Sequence, residues 1–142
     1  MSSVTPADVL ARRRQLILDG DSEGFADLFA PDALMEFCFH GPPGGAPVRI
    51  EGREAIREYT RRVTDSPLRI KDYEVTELYH TEDPAVVVVE MRSAATLTTT
   101  GRSVTALSIQ VLRIRDGQIT LFRDFADPRI FEALAEELSL DG

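Results

Sequence analysis

The stretch Ile114-Arg115-Asp116-Gly117-Gln118-Ile119-Thr120-Leu121-Phe122-Arg123-Asp124-Phe125-Ala126-Asp127-Pro128 decides the fold. Asp116-Gly117 is the dipeptide of a tight hairpin, because a two-residue turn between twisted strands needs positive φ at both of its centres. The strand that follows, about 118–126, alternates. Alternation predicts Thr120, Phe122 and Asp124 on one face, with Ile119, Leu121, Arg123 and Phe125 on the other. An acid that shares a face with a Phe deep in a strand is costly unless it is paired or used.

Outward from the hairpin, the period of the chain changes near Leu68. After it, alternating runs near 69–79, 85–97, 103–114 and 118–126 predict four long antiparallel strands. Thr81-Glu82-Asp83-Pro84 and Thr99-Thr100-Gly101 supply the earlier turns. Before it, helical signals dominate. Thr5-Pro6-Ala7-Asp8 is a helix start with its cap, its first-position proline and an acid at the third position. That helix is expected to run to about Asp19 and stop at Gly20. Asp21 caps a second short helix that buries Phe25, Leu28 and Phe29 and ends at Pro31. A strand over 33–39 puts Met35, Phe37 and Phe39 on one face. Residues 41–47, rich in Gly and Pro, form either a lid or a plain connecting loop. A third helix spans about 53–63, with Ile56 and Tyr59 a turn apart. A last helix is expected from Asp127, burying Ile130, Phe131 and Leu134.

This order predicts a single α+β domain with its core over about 5–135: a cone-shaped, curved antiparallel sheet wrapped around the N-terminal helices. The strand at 85–97 is apolar on both faces, with Val87, Val89 and Met91 against Val86 and Val88. The next strand sets Ala106 and Leu112 against Leu107, Ile109 and Val111. Faces apolar on both sides need cover on both, so a homodimer through the sheet is expected.

The chain has 142 residues and a net charge of −8. That sign argues against nucleic acid and anionic membrane surfaces, both of which attract basic patches. The polar N-terminus lacks the apolar stretch of a signal peptide, and no run reaches a membrane span of ~20 residues. The lone Cys38 fits a reducing compartment. A cytoplasmic location is the expectation. No ligand cluster with metal spacing and no phosphate-binding glycine loop occurs, so no cofactor is implied.

Gly20-Asp21, the run from Phe25 to Ala33, Glu51-Gly52-Arg53-Glu54-Ala55-Ile56, the Asp-Gly hairpin and Arg123-Asp124-Phe125 together resemble the nuclear-transport-factor-2-like superfamily. Within it the chain is similar to the SnoaL-like polyketide cyclases and to their ketosteroid isomerase and limonene epoxide hydrolase relatives. The resemblance covers about residues 5 to 135 and speaks to fold more than to reaction. It implies that the isomerases' general base falls at Phe37, their oxyanion-binding Tyr at Arg13 and their oxyanion-binding Asp at Gln110. All three residue types differ here. Of the hydrolases' Asp-Arg-Asp triad, the last acid matches Asp124. The other two positions fall at Met91 and Ser93, and Arg92 is one residue out of register, facing away.

On this alignment the interior is lined by Met35, Phe37, Phe39, Val89, Met91 and Ser93, together with Ser108, Gln110, Leu112, Phe122 and Asp124. A mostly apolar wall with few polar groups suits a hydrophobic small molecule. Asp124 is the candidate proton donor or base; the structural alternative is a salt bridge to Arg13, which reaches in from the first helix and is also a candidate substrate-binding residue of the wall. Gln110 is a candidate donor to a carbonyl oxygen. His40, at the expected pocket mouth, is either a proton carrier or a surface hydrogen-bonder, and His80 is expected to be exposed. The aromatic residues are core or pocket wall. Two classes of function follow. One is a cofactor-independent polyketide cyclase that closes a ring in a large apolar intermediate of natural-product biosynthesis, either by cycloaddition of the folded chain or by a closure that uses Asp124, with a ketosteroid isomerase-like or epoxide-opening enzyme using Asp124 as the alternative. The other is a non-catalytic binding or dimerisation module.

Overall fold

The computed structural model describes residues 4–41, 45–130 and 133. Helix α1 spans Pro6–Leu18. Both halves of its capping box form: Thr5 Oγ1 accepts from the Asp8 amide at 3.1 Å, and the Asp8 carboxylate accepts from the Thr5 amide at 2.9 Å. These bonds satisfy amides that the helix start leaves orphaned. Gly20, at φ 68°, lets the chain turn out of the helix. Helix α2, Ser22–Asp27, is capped by Asp21, as expected.

The second helix ends at Asp27, four residues before Pro31, which lies inside strand β1, Phe29–Phe37. The strand tolerates the proline because pairing with its neighbour is irregular between Phe29 and Leu34. β1 also stops two residues earlier than expected. Phe39 therefore leaves the alternation and is 55% exposed, packed edge-on against Phe125. Strand β2, Val48–Glu51, is a short edge that the sequence reading did not predict. It buries little, so it carries no apolar alternation to read.

Helix α3 spans Arg53–Asp65. The strands β3, Leu68–His80, β4, Val86–Leu97, β5, Ser103–Arg115, and β6, Gln118–Ala126, follow the expected runs within one residue. They form one six-stranded sheet in the order β2-β1-β6-β5-β4-β3. The sheet is mixed, because β1 pairs parallel with β6 while every other ladder is antiparallel. Residues 128–130 are helical after Asp127, whose carboxylate accepts from the Arg129 amide at 2.9 Å. Ile130 is half-buried, while Phe131 and Leu134 of the expected last helix lie outside the described residues.

The hairpin forms as read, with Asp116 at φ 53° and Gly117 at φ 75°. The strand after it does not alternate cleanly. Ile119 pairs with Ile114 and Leu121 with Arg113, so Thr120 is an extra residue without a partner on β5. This bulge reverses the facing of what precedes it. Ile119, expected on the outer face, is fully buried in the core beside Phe29, Val87 and Leu112. Thr120 Oγ1 reaches the Arg113 carbonyl at 3.3 Å. Ile119→Ala is expected to cost about 2–5 kcal/mol in urea unfolding, and Leu121→Ala distinctly less. Equal losses would mean that the bulge does not set the inner face.

Candidate active site

Register brings the candidate residues together. On the inner face, Asp124 of β6 lies between Phe37 of β1 and Gln110 of β5, and Gln110 pairs in turn with Val89 of β4. The Asp124 carbonyl accepts from the Cys38 amide at 2.9 Å, which pins the acid beside β1. The position that the resemblance assigns to the isomerases' base, Phe37, is thus the direct neighbour of the carboxylate present here.

Arg13 projects from α1 onto this face and is 1% exposed. Its Nη1 donates to Gln110 Oε1 at 2.8 Å, and its Nη2 reaches Met91 Sδ at 3.6 Å. Its Nε is buried with no hydrogen-bond partner. Its guanidinium carbon sits 4.9 Å from the Tyr73 ring centroid and 5.9 Å from that of Phe122. The rings supply cation–π attraction in place of a carboxylate. Gln110, also 1% exposed, passes its Nε2 to the Tyr73 hydroxyl at 2.8 Å. Arginine offers only donors, so the amide oxygen must face Arg13 and the amide nitrogen must face Tyr73.

Beside this network lies a cavity of about 480 Å³. Met35, Phe37, Phe122 and Asp124 line it, as expected. Tyr73, Tyr59, Phe25, Leu68 and Ile70 complete much of its apolar wall, and Asp19, Asp21, Thr64 and Arg69 are among its polar members. The other expected lining residues stand elsewhere. Val89, Met91 and Leu112 are sealed in the core, because α1 and its Arg13 cover that part of the inner face. Gln110 and Arg13 stand behind Tyr73 and are not part of the wall. Ser93, opposite Tyr73, and Ser108, opposite Met91, are half-buried and do not border the cavity. Phe39 is outside, for the reason given above. His40 packs edge-on against Phe37 at 5.5 Å rather than on the cavity wall. His80 and Arg92 are exposed, as expected.

Tyr73 was missed in the sequence because β3 is itself bulged. Ile70 pairs with Ala95 and Asp72 with Ala94, leaving Lys71 as the extra residue. The bulge allows Ile70 and Tyr73, three apart, to face the same cavity. Tyr59 carried a readable signal, one helical turn from the buried Ile56.

Asp124 is the titratable group that this geometry perturbs most usefully. Burial pushes its carboxyl up to about 6, and the opposing pull of the Arg13 charge only partly offsets that. One carboxyl oxygen, Oδ1, is buried without a hydrogen-bond partner. The salt bridge to Arg13, the structural alternative for Asp124, does not form; Arg13 donates to Gln110 instead and acts on Asp124 through its charge alone. Burial also raises the Tyr59 hydroxyl, and the Asp124 charge adds to the effect. Among the described residues no group of His, Cys, Asp and Glu is placed to hold a metal ion. No helix among them is long and apolar enough to cross a membrane.

Fold and site together define an α+β protein with a largely apolar cavity and a buried carboxyl of raised pKa on its wall. The SnoaL-like domain model matches residues 11–122, and the chain belongs to that family. It is 38% identical to an uncharacterised PhzA/B-like protein of Pseudomonas aeruginosa over 128 residues, covering 89% of this chain and 88% of the relative. The fold is nuclear-transport-factor-2-like and ketosteroid isomerase-like. It superposes on a candidate isomerase from Bacillus subtilis with a TM-score of 0.79, at 24% identity and 89% coverage of both chains. A candidate polyketide cyclase from Xanthomonas campestris matches with a TM-score of 0.69, at 21% identity, over 89% of this chain and 93% of that one.

The raised carboxyl has a stability consequence. Its folded pKa, about 6, lies above the ordinary 3.8. The native state therefore holds a proton that the unfolded chain releases, and stability falls as pH rises from about 4 to about 6, then levels. Asp124→Asn is expected to be more stable than the native protein at pH 8, by up to about 3 kcal/mol, with the gap closing near pH 4. Urea unfolding at both pH values checks it. A less stable Asn variant at pH 8 would show that the carboxylate serves the fold.

Proposed function

We propose that the protein is a cofactor-independent enzyme that closes a ring in an apolar, carbonyl-bearing small molecule, with Asp124 as the proton carrier. The observation that carries this reading is a carboxyl held at about 6 on the wall of a 480 Å³ apolar cavity. That volume is in the range of small-molecule sites, and a base near neutral pH is suited to proton transfer. The ionised carboxylate takes a proton from carbon between or beside carbonyls, and the C–H electron pair becomes an enolate. The enolate carbon attacks a second carbonyl of the same folded substrate. A C–C bond forms, the second carbonyl's π pair moves to its oxygen, and that oxygen takes the proton back from Asp124. No electron or proton is consumed overall. The wall contributes by holding the ends of the substrate within reach, which replaces an entropic barrier. A polyketide-like intermediate of natural-product biosynthesis has this chemistry. The raised carboxyl favours enolisation over a cycloaddition, which needs no titratable group.

Proton abstraction is testable without the natural substrate. The native protein is expected to accelerate deuterium exchange at the benzylic α-carbon of 2-tetralone, followed by proton NMR, about 100-fold or more over buffer. The rate should rise with pH through about 6 and then level, because the base must be ionised. Asp124→Asn should lose the acceleration. No exchange from the native protein would sink the reading.

A second copy of the chain is the proposed cover for the outer sheet face. Leu107 is 71% and Ile109 48% exposed there. They pair with Arg92 and Glu90 respectively, so opposite charges flank the apolar centre. A two-fold axis through such a patch sets Glu90 of one protomer against Arg92 of its partner. Light scattering at micromolar concentration should return a dimer, and Leu107→Glu a monomer. A native monomer would refute this cover.

A further inference from the structure

The direction of one hydroxyl proton names the ligand that the cavity takes. Arg13 fixes the Gln110 amide, as argued above, so Gln110 Nε2 donates and the Tyr73 oxygen accepts. The Tyr73 proton is not used in that bond. Tyr73 is half-buried and lines the cavity, and its ring is held against the Arg13 guanidinium. A phenol whose oxygen already accepts from a cation-polarised amide is a stronger donor, because successive hydrogen bonds polarise one another. The charges around the cavity point the same way. Asp19, Asp21 and Asp124 line it, against Arg69 as the one lining cation among the described residues. Arg69 Nη1 is spent on the carbonyls of Thr64, Ser66 and Leu68. An anionic ligand would meet the exposed carboxylates of Asp19 and Asp21, the buried one of Asp124, and a chain of net charge −8.

We infer that the cavity selects an uncharged carbonyl compound, seated with its oxygen on the Tyr73 hydroxyl, and that Gln110 and Arg13 are positioning residues for that donor. The inference rests on the reading of this cavity as the substrate site and names what that site takes. The donor role that the sequence suggested for Gln110 passes to Tyr73, because Gln110 stands behind the wall. A carbonyl on Tyr73 and an acidic carbon near Asp124 give the enolate oxygen a donor as charge develops on it.

Three probes on one bicyclic frame test it in the native protein: tetralin, 2-tetralone and 1,2,3,4-tetrahydro-2-naphthoate. The ketone is expected to bind about tenfold more tightly than the hydrocarbon, the gain of one well-placed hydrogen bond, and also more tightly than the carboxylate at pH 7.5. Its bound carbonyl stretch should move to lower wavenumber by infrared difference spectroscopy. Tyr73→Phe keeps the ring over Arg13 and should lose both the shift and the tenfold gain. Tetralin binding as well as tetralone, the tetrahydronaphthoate binding as well as either, or an unshifted carbonyl each overturns the inference. Because these readouts come from the native protein, they stand even if the Phe variant fails to fold. A shifted carbonyl with no deuterium exchange would leave the donor in place and remove the enzyme reading; exchange with an unshifted carbonyl would do the reverse.

Discussion

A guanidinium buried without a carboxylate partner is the constraint on which the rest of this structure depends. Arg13 is one residue of a capped, thirteen-residue helix, and its charge is removed from water almost completely. Such burial is unfavourable unless polar and π partners replace the lost hydration. Here the replacements come from four strands: Gln110 of β5, Met91 of β4, and the rings of Tyr73 and Phe122 on β3 and β6. Helix α1 is thereby fixed in rotation and depth over the sheet. Arg14 adds an outer tie to Asp72 at 3.1 Å, an exposed pair of small weight. The same cation draws the Asp124 carboxyl down while burial drives it up, and the balance falls near neutral pH.

Much of the fold was legible because its signals are local. Thr5-Pro6-x-Asp8, Asp21 and Asp116-Gly117 each combine a residue type with a geometry that few other residues satisfy, and all three form as read. The long strands were legible because their inner faces are continuously apolar. What failed did so at interruptions of period. Thr120 and Lys71 each add one residue to a strand, which moves Ile119 inward and brings Tyr73 to the cavity. A bulge residue looks like any other in a polar–apolar pattern, because the extra residue is defined by its partner strand rather than by itself. Phe39 failed for a related reason: alternation was extended past the end of the hydrogen-bonded ladder.

The site was legible in part. Asp124 was singled out from a face shared with Phe122, and both line the cavity. Gln110 and Arg13 were named correctly as inner groups but with the wrong reach, since sequence gives the face of a residue and not its depth beneath another side chain. The mouth of the cavity, built from α1, α2 and α3, depends on tertiary placement. Arg57 of α3 draws α2 in there through Glu23 and Asp27.

The parallel ladder between β1 and β6 has a consequence for how the site comes into being. Phe37 and Asp124 are neighbours in space but belong to the first and the last strand. Arg13 and Gln110 are 97 residues apart. During synthesis from the N-terminus, the second contact must wait for β5 and the first for β6, and contacts of such long sequence separation are slow to close. Strand β1 therefore has no sheet neighbour on its β6 side until the last strand slots in between β1 and β5. Completion of the sheet and of the cavity wall are thus a single event, because Phe122 and Asp124 enter the wall only with β6.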